Sequence, residues 1–198
     1  MLYAQGMQKK TKQIKDIAEV ILGFTFRSTL EESSEGNIAV LQAKNITDEV
    51  IIKEADLIKI DLDKSRTSAM AKSNDVIISS RGNFKSAVLR SSKQAIIAAG
   101  STYLIRLRTD EVLPEYLAVY LNSRYAQKQI KERTTGVVIN ALLKRDLEDI
   151  EIIIPSHEQQ EKTVAVYENN LHLQKQLKQK QYLTNKINEG LINKLINS

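Results

Sequence analysis

The sequence Glu-Ile-Ile-Ile-Pro-Ser-His-Glu-Gln-Gln-Glu-Lys-Thr, residues 151–163, contains the main boundary of this chain. A β-branched apolar run, typical of a strand, ends at Pro155. The polar-rich segment that follows continues to Ser198 without another proline, which is typical of a long helix. The sequence therefore predicts the α+β class, with a β-rich domain followed by one long C-terminal helix.

The predicted helical region covers residues 156–198. Ser156 and Gln159 have the spacing of a capping box, and about 40 helical residues would extend about 60 Å. Residues 178–181 carry no apolar side chain, so the pattern is not a strict heptad repeat. Because a helix this long cannot cover its own apolar stripe, we expect a partner helix from another chain, such as a second copy. The stripe residues are Leu173, Leu177, Leu183, Ile187, Leu191 and Leu195.

Residues 14–155 are predicted to form the β-rich domain, and residues 1–13 a polar tail. A helix is predicted from Pro114 to about Arg133, because proline suits the first helical position and apolar residues follow at helical spacing. Asp146 is predicted to cap a short turn before the last strand. Short apolar runs between polar turns predict strands at 14–20, 38–43, 50–52, 76–79, 87–89, 95–98, 103–107 and 150–154.

The composition restricts the possible functions. The 198 residues include 29 basic and 24 acidic side chains, and the net charge of +5 permits a polyanionic partner without requiring one. There is no cysteine, and both histidines, His157 and His172, lie in the predicted helix, which disfavours a zinc site and an activated nucleophile. No apolar run approaches the ~20 residues of a membrane span, so we expect a cytoplasmic protein without a membrane partner.

Common catalytic motifs are also missing from the sequence. No lysine follows a carboxylate by two positions, as in many Mg²⁺-dependent nucleases, and neither Gly-x-Gly nor a phosphate-binding Gly-x-x-x-x-Gly-Lys loop occurs. We therefore expect no catalytic residue, no metal and no cofactor in this chain. A site built from carboxylates alone stays open.

Four polar loops contain the side chains that suit nucleic-acid binding. Arginine can form two hydrogen bonds with guanine, asparagine can pair with adenine, and lysine or serine can contact phosphate. Polar loops between strands are more often solvated turns, so the residue inventory leaves both interpretations open. The candidate contacts are Arg27 and Ser28; Lys44 and Asn45; Ser80, Arg81, Asn83 and Lys85; and Thr134, Thr135, Asn140 and Lys144.

Several segments, in this order and spacing, resemble the specificity (S) subunit of type I restriction–modification systems over residues 14–197. They are Ile-Lys-Asp-Ile-Ala-Glu-Val-Ile-Leu-Gly-Phe-Thr-Phe-Arg-Ser at 14–28, Ile-Ala-Val-Leu-Gln-Ala-Lys-Asn-Ile at 38–46, Asn-Asp-Val-Ile-Ile-Ser-Ser-Arg-Gly at 74–82, Tyr-Leu-Ala-Val-Tyr-Leu-Asn-Ser at 116–123 and Ile-Pro-Ser-His-Glu-Gln-Gln at 154–160. Asn74 departs from the glycine that the family usually has there. Such subunits usually contain two recognition domains, each followed by a helix, so this chain resembles a half-length form.

The resemblance implies that residues 14–155 are a DNA target recognition domain that reads half of a bipartite target. It implies that the C-terminal helix pairs as an antiparallel coiled coil, separates the recognition domains and docks the modification (methyltransferase) subunit. A restriction subunit completes such complexes. Two copies with paired helices would then read an inverted repeat in double-stranded DNA. The residues leave two alternatives open, a non-catalytic protein-binding adaptor with an oligomerisation stalk and, third, an enzyme within this chain.

Overall fold

The computed structural model describes residues 10–62, 68–90, 94–134 and 141–197. It divides into two compact units, Met1–Val164 and Ala165–Ser198. Within the described residues, no helix is long and apolar enough to cross a membrane.

The first unit contains all the strands that the structure describes. In chain order these are β1 (Lys10–Gln13), β2 (Ala18–Leu22), β3 (Ile38–Leu41), β4 (Ile58–Ile60), β5 (Val76–Ser79), β6 (Ser86–Val88), β7 (Ile96–Ala98), β8 (Thr102–Leu107) and β9 (Glu151–Ile154). The helices are α1 (Ile14–Ile17), α2 (Pro114–Asn122), α3 (Arg124–Thr134), α4 (Lys144–Glu148) and α5 (His157–Ile196). The predicted α+β class is confirmed.

The strands form three small sheets, and the buried apolar residues form three clusters. An antiparallel sheet has the order β2-β8-β5-β6, a second has the order β4-β3-β7 with β3 and β7 parallel, and β1 pairs antiparallel with β9. Strand β5 is buried along its whole length, because α2 covers one face of its sheet and the second sheet lies on the other side. This arrangement explains why the first three residues of β5, Val76, Ile77 and Ile78, are β-branched without polar alternation.

Several predicted element boundaries were wrong. Residues 14–20 form α1 and then β2, because Ile14 and Ile17 are both fully buried at a helical spacing of three. The helix predicted from Pro114 to Arg133 is interrupted at Ser123, which has extended backbone geometry. Residues 50–52 make backbone hydrogen bonds with Val88 without forming a strand.

Two further corrections concern polar segments. Lys10–Gln13, predicted as part of a tail, forms β1, and Lys10 and Lys12 make ion pairs with Glu111 at 2.7 and 2.9 Å. The residue that precedes α4 is Leu143, so Asp146 does not cap that helix. Both segments are short, and their structure depends on tertiary partners that local residue preferences do not reveal.

The start of α5 has the predicted capping box. The backbone N–H of Ser156 donates to Oε1 of Gln159 at 3.3 Å, and the backbone N–H of Gln159 donates to Oγ of Ser156 at 3.4 Å. The next residue, Gln160, is fully buried. Its amide accepts from the N–H of Leu113 at 2.8 Å and donates to the carbonyls of Glu111 and Pro155 at 2.8 and 3.0 Å. Gln160 therefore anchors the first turn of α5 to the first unit.

Candidate nucleic-acid interface

The ends of three adjacent strands bring the polar loops of the sequence to one edge of the first unit. Leu22, the last residue of β2, is in register with Tyr103, and Ser79, the last residue of β5, is in register with Thr102. Because β8 is antiparallel to both neighbours, its first residues lie beside the last residues of β2 and β5. We name the loops at this edge, residues 23–29, 42–45, 80–85 and 99–101, the loop edge.

The turn at residues 99–101 joins the other three loops. It connects β7 to β8, and its backbone and the Ser101 hydroxyl bond to each neighbouring loop. Three of these hydrogen bonds are Gly100 N to Phe24 O at 2.7 Å, Ser80 N to Ser101 O at 2.8 Å and Ala43 N to Ser101 Oγ at 3.3 Å. The sequence analysis did not predict that residues 99–101 join the other loops, although Gly-Ser-Thr between two apolar runs is a turn signal.

Close backbone packing at the loop edge requires glycine at position 23. A Cβ atom built on Gly23 would lie 2.0 Å from the carbonyl oxygen of Ala99, far inside van der Waals contact. The N–H of Gly23 also donates to the carbonyl of Thr102 at 3.1 Å. The first loop is therefore held directly against the 99–101 turn.

Residues 141 and 142, in the later part of the fourth predicted loop region, reach the same edge. The N–H of Leu142 donates to the carbonyl of Ser80 at 2.9 Å, and Arg81 forms a β-bridge with Ala141. The Tyr103 hydroxyl donates to the carbonyl of Leu142 at 2.9 Å. Burial raises the pKa of Tyr103, the Asp146 carboxylate raises it further, and Arg81 lowers it. The hydroxyl therefore remains a hydrogen-bond donor at neutral pH.

Three cationic side chains at the loop edge are available to a ligand. Arg27, Lys44 and Arg81 are exposed, and none of them makes an ion pair or side-chain hydrogen bond with the residues that the structure describes. Ser28 and Asn83 are exposed in the same loops. Together they offer guanidinium, ammonium, amide and hydroxyl groups, the combination that contacts DNA phosphates and base edges.

Other predicted contacts have internal partners. Lys85 pairs with Asp48 at 2.8 Å, and Lys144 pairs with Glu148 at 3.6 Å. Both ends of the Asn45 amide are engaged, by the N–H of Gln42 and the carbonyl of Asp56, at 2.9 Å each. Asn45 therefore shapes the loop that carries Lys44.

Two predicted contacts lie in the interior. Ser80 is buried, and its backbone bonds to Ser101 and Leu142. Thr134 is also buried, and its hydroxyl donates to the carbonyl of Ile130 at 3.1 Å, so its assignment as a DNA contact is corrected. The sequence could not show this because a threonine at a helix end can bond back to its own helix or face solvent. Thr135 and Asn140 lie outside the described residues.

The predicted partner-helix residues all lie on α5, within the unit Ala165–Ser198. Their exposed fractions range from 49% to 76%, and Val166, Tyr182, Ile192 and Ile196 are similarly exposed. A row of exposed large apolar side chains on a helix marks a surface that associates with another chain. The residues are Leu173, Leu177, Leu183, Ile187, Leu191 and Leu195.

Within the described residues, no group of three or more histidine, cysteine, aspartate or glutamate side chains could hold a metal ion. The polar groups at the loop edge are cations, amides and hydroxyls carried on turns whose backbones are hydrogen-bonded to one another.

A family model described as the type I restriction modification DNA specificity domain matches residues 7–193. No curated protein shows significant sequence similarity to this chain.

Several solved structures share the fold. A chain from work on the structural basis of complex assembly and conformational transition of the type I R-M system has 20% identity and a TM-score of 0.65 over 92% of this chain and 43% of that chain. The HsdS subunit from Thermoanaerobacter tengcongensis has 20% identity and a TM-score of 0.60, over 90% and 41%. The type I restriction–modification S subunit from M. genitalium has 15% identity and a TM-score of 0.51, over 87% and 40%. This chain spans less than half the length of each.

Proposed function

The chain belongs to the type I restriction modification DNA specificity domain family, and on that premise we propose that it is the DNA-reading component of a type I restriction–modification complex. The unit Met1–Val164 reads one half of a bipartite target in double-stranded DNA. A modification (methyltransferase) subunit docks on the chain, and a restriction subunit joins through it. In this proposal the chain supplies no catalytic residue and no cofactor, and it acts in the cytoplasm, where the DNA is.

The observation that supports the proposal is the convergence of the predicted loops at the loop edge. Arg27, Lys44 and Arg81 come from three different loops, yet hydrogen bonds to the backbone or the Ser101 hydroxyl hold all three loops to residues 99–101. Cations carried on loops that are held in fixed positions suit a polyanion with a regular phosphate spacing. If all three contact phosphate, the logarithm of the binding constant falls with the logarithm of salt concentration at a slope of about −3 per recognition unit.

A second copy of the chain completes the target. Pairing of two α5 helices covers their exposed apolar side chains, and a two-fold axis then relates two identical recognition units. Identical units related by such an axis read an inverted repeat with an unspecified spacer. The helix length of 40 residues, about 60 Å, sets the scale of that spacer.

The loop assignment is tested with the triple variant Arg81→Ala, Asn83→Ala, Lys85→Ala in the assembled complex. We expect weaker DNA binding and a changed or lost methylation pattern. Lys72→Ala is the matched control, because Lys72 is exposed and precedes β5, at the opposite end from the loop edge. A triple variant with unaltered affinity and methylation pattern would show that this loop does not read DNA.

The principal alternative, a protein-binding adaptor, makes a different prediction. A DNA reader shows affinity that decays steeply with ionic strength in the assembled complex. An adaptor shows no such salt-dependent DNA binding there. A purified chain that cleaves or methylates DNA unaided would instead support an enzyme.

A further inference from the structure

The hairpin between β5 and β6 contains two residues with left-handed backbone conformation. They are Gly82, with a φ of 78°, and Phe84, with a φ of 47°. Glycine adopts this conformation freely, whereas a bulky aromatic residue is strained there and keeps it only where its surroundings hold it. Such strain concentrates at binding and catalytic sites. Phe84 directly follows three exposed residues, Arg81, Gly82 and Asn83, which we name the hairpin tip.

Burial of Phe84 determines where the chain leaves the hairpin tip. Only 6% of the residue is exposed, and it belongs to the same apolar cluster as Leu121 of α2 and Ala126 of α3. The chain therefore turns inward immediately after Asn83. A buried ring fixes the position of the residue, but it does not by itself select the strained backbone conformation, which needs a partner at the backbone.

Gln127 supplies that backbone partner. Its side-chain Nε2 donates to the carbonyl of Phe84 at 3.1 Å and to the carbonyl of Leu121 at 2.7 Å. Because both partners are acceptors, the amide nitrogen must face them, and its two hydrogens are both used. One side chain of α3 therefore joins the end of the hairpin tip to the end of α2.

The interruption of the helix at Ser123 explains why α2 and α3 bond to the hairpin in this way. The last carbonyls of a helix have no partner within it, and Leu121 lies in the last turn of α2. Gln127, near the start of α3, provides the missing donor. Beside it, the Asn122 amide accepts from the N–H of Ser86 at 2.9 Å and donates to the carbonyl of Ser86 at 2.8 Å. Two amide side chains, one on each side of the interruption, thus hold one hairpin.

We infer that Gln127 is a positioning residue for DNA reading, which holds Phe84 in its left-handed conformation and so presents Arg81 and Asn83 to DNA. The inference rests on the proposed function, because it takes those two residues as DNA contacts. Gln127 itself acts through them and not by touching DNA. Without its amide, the strained backbone relaxes and the hairpin tip adopts several conformations. DNA then binds only the competent fraction, so the apparent affinity falls.

Two glutamine-to-methionine variants test this role in the complex of the full-length chain with the methyltransferase subunit. Gln127→Met keeps the length of the side chain and removes both donors. Gln129→Met is the matched control, because Gln129 lies on the same helix, is also half-buried, and bonds to the N–H and the carbonyl of Glu151 at 3.0 Å each. The probe is the DNA duplex that the wild-type complex selects from a randomised double-stranded library. Binding is measured at a temperature at which circular dichroism shows every variant to be folded.

We expect Gln127→Met to raise the Kd for this duplex about fivefold or more, and Gln129→Met to change it less than about twofold. The double variant Arg81→Ala, Asn83→Ala removes the contacts of the hairpin tip and provides a second background. In that background Gln127→Met should change the Kd less than about twofold, because residues that act through one another are not additive. Gln127→Ala is measured alongside with the same expectations, so that the test does not depend on the folding of one variant.

Each other outcome overturns a specific claim. An unchanged Kd with Gln127→Met, or equal losses with Gln127→Met and Gln129→Met, would show that the amide has no positioning role. A loss that persists in the double-variant background would show that Gln127 acts elsewhere than on the hairpin tip, and would leave the DNA contacts of the tip standing. A double variant Arg81→Ala, Asn83→Ala that binds the duplex like wild type would overturn the assignment of this loop to DNA, and with it the role of Gln127.

Discussion

The exposed cations of the loop edge suit different parts of DNA. Arg81 has the planar guanidinium that can form two hydrogen bonds with a guanine edge, whereas the ammonium group of Lys44 suits a phosphate. We expect Arg81→Ala to weaken binding to the cognate site by about 1–3 kcal/mol and to relax specificity at one base pair. Lys44→Ala should weaken binding to all sequences alike and reduce the salt slope by about 1.

Binding of cognate and substituted DNA duplexes, measured at several salt concentrations, separates these two effects. Lys72→Ala serves again as the surface-charge control, and its affinity should change little because Lys72 lies away from the loop edge. Equal loss of affinity for every duplex with Arg81→Ala would assign Arg81 to phosphate and exclude base reading.

Gln160 anchors the start of α5, and this role can be tested by measuring the free energy of unfolding of a variant. Gln160→Ala leaves the N–H of Leu113 and the carbonyls of Glu111 and Pro155 without their amide partner. We expect the free energy of unfolding to fall by about 2–3 kcal/mol, because buried polar groups without partners are costly. Gln174→Ala, at an exposed position of the same helix, is the control and should change stability by less than about 0.5 kcal/mol. Equal denaturation midpoints for both variants would contradict the anchoring role.

At the scale of elements, the loop edge depends on how closely the first loop approaches the turn after β7. Gly23→Ala places a methyl group against the carbonyl of Ala99, so the backbone must move. We expect this variant to be less stable and to bind DNA more weakly, since the displaced loop carries Arg27. Gly190→Ala is the matched control, and we expect it to raise the stability that Gly23→Ala lowers. No atom lies within 4 Å of its new methyl group, and alanine in a helix interior stabilises by about 1 kcal/mol relative to glycine.

Thermal unfolding of the two glycine variants gives the measurement. A lower midpoint for Gly23→Ala and a higher midpoint for Gly190→Ala are expected. Equal behaviour of Gly23→Ala and the wild type would show that the loop edge adapts without cost.

The ion pairs of Lys10 and Lys12, in strand β1, with Glu111 make the stability of the first unit depend on pH. Hydrogen bonds from Lys10 and Lys12 lower the pKa of Glu111 from 4.5 to about 2. Because the folded pKa lies below the ordinary value, this stabilisation is present above about pH 4.5 and is lost as the pH falls towards 2. We expect Glu111→Gln to be less stable than wild type at pH 7 and equally stable near pH 2. A stability difference that does not change between these pH values would contradict the ion-pair attachment.

The sequence predicted those elements whose local pattern agrees with their tertiary environment. Val76–Ser79 was predicted with correct bounds because three consecutive β-branched apolar residues indicate a buried strand. Helix α5 was predicted because its capping box and lack of proline are local signals. Lys10–Gln13 could not be predicted, since its strand is polar and forms only by pairing with β9, where Thr11 is in register with Ile153.

In the candidate site too, local sequence indicates some features, whereas others depend on tertiary contacts. The four polar loops were recognised from their residue types, but their convergence depends on tertiary hydrogen bonds that residue types do not reveal. Three loops bond to residues 99–101, and the fourth region bonds to Ser80. Thr134 was assigned to DNA for its side-chain chemistry alone, and burial against Ile130 removes it from the surface.

At the scale of the whole molecule, the chain combines one recognition unit with one helix that exposes large apolar side chains. In the proposed dimer, a second copy supplies a second reader and covers the exposed apolar side chains of α5. Symmetry then determines the form of the DNA target, because two identical readers require two inverted copies of one half-site.

Methylome sequencing of cells with and without this chain, in the presence of the methyltransferase subunit, tests this claim most directly. We predict one methylated motif that consists of two inverted half-sites around an unspecified spacer, and that disappears when the chain is removed. A methylation pattern that is unchanged on removal of the chain, or a dependent motif without inverted symmetry, would contradict the account of two identical DNA readers joined by their helices.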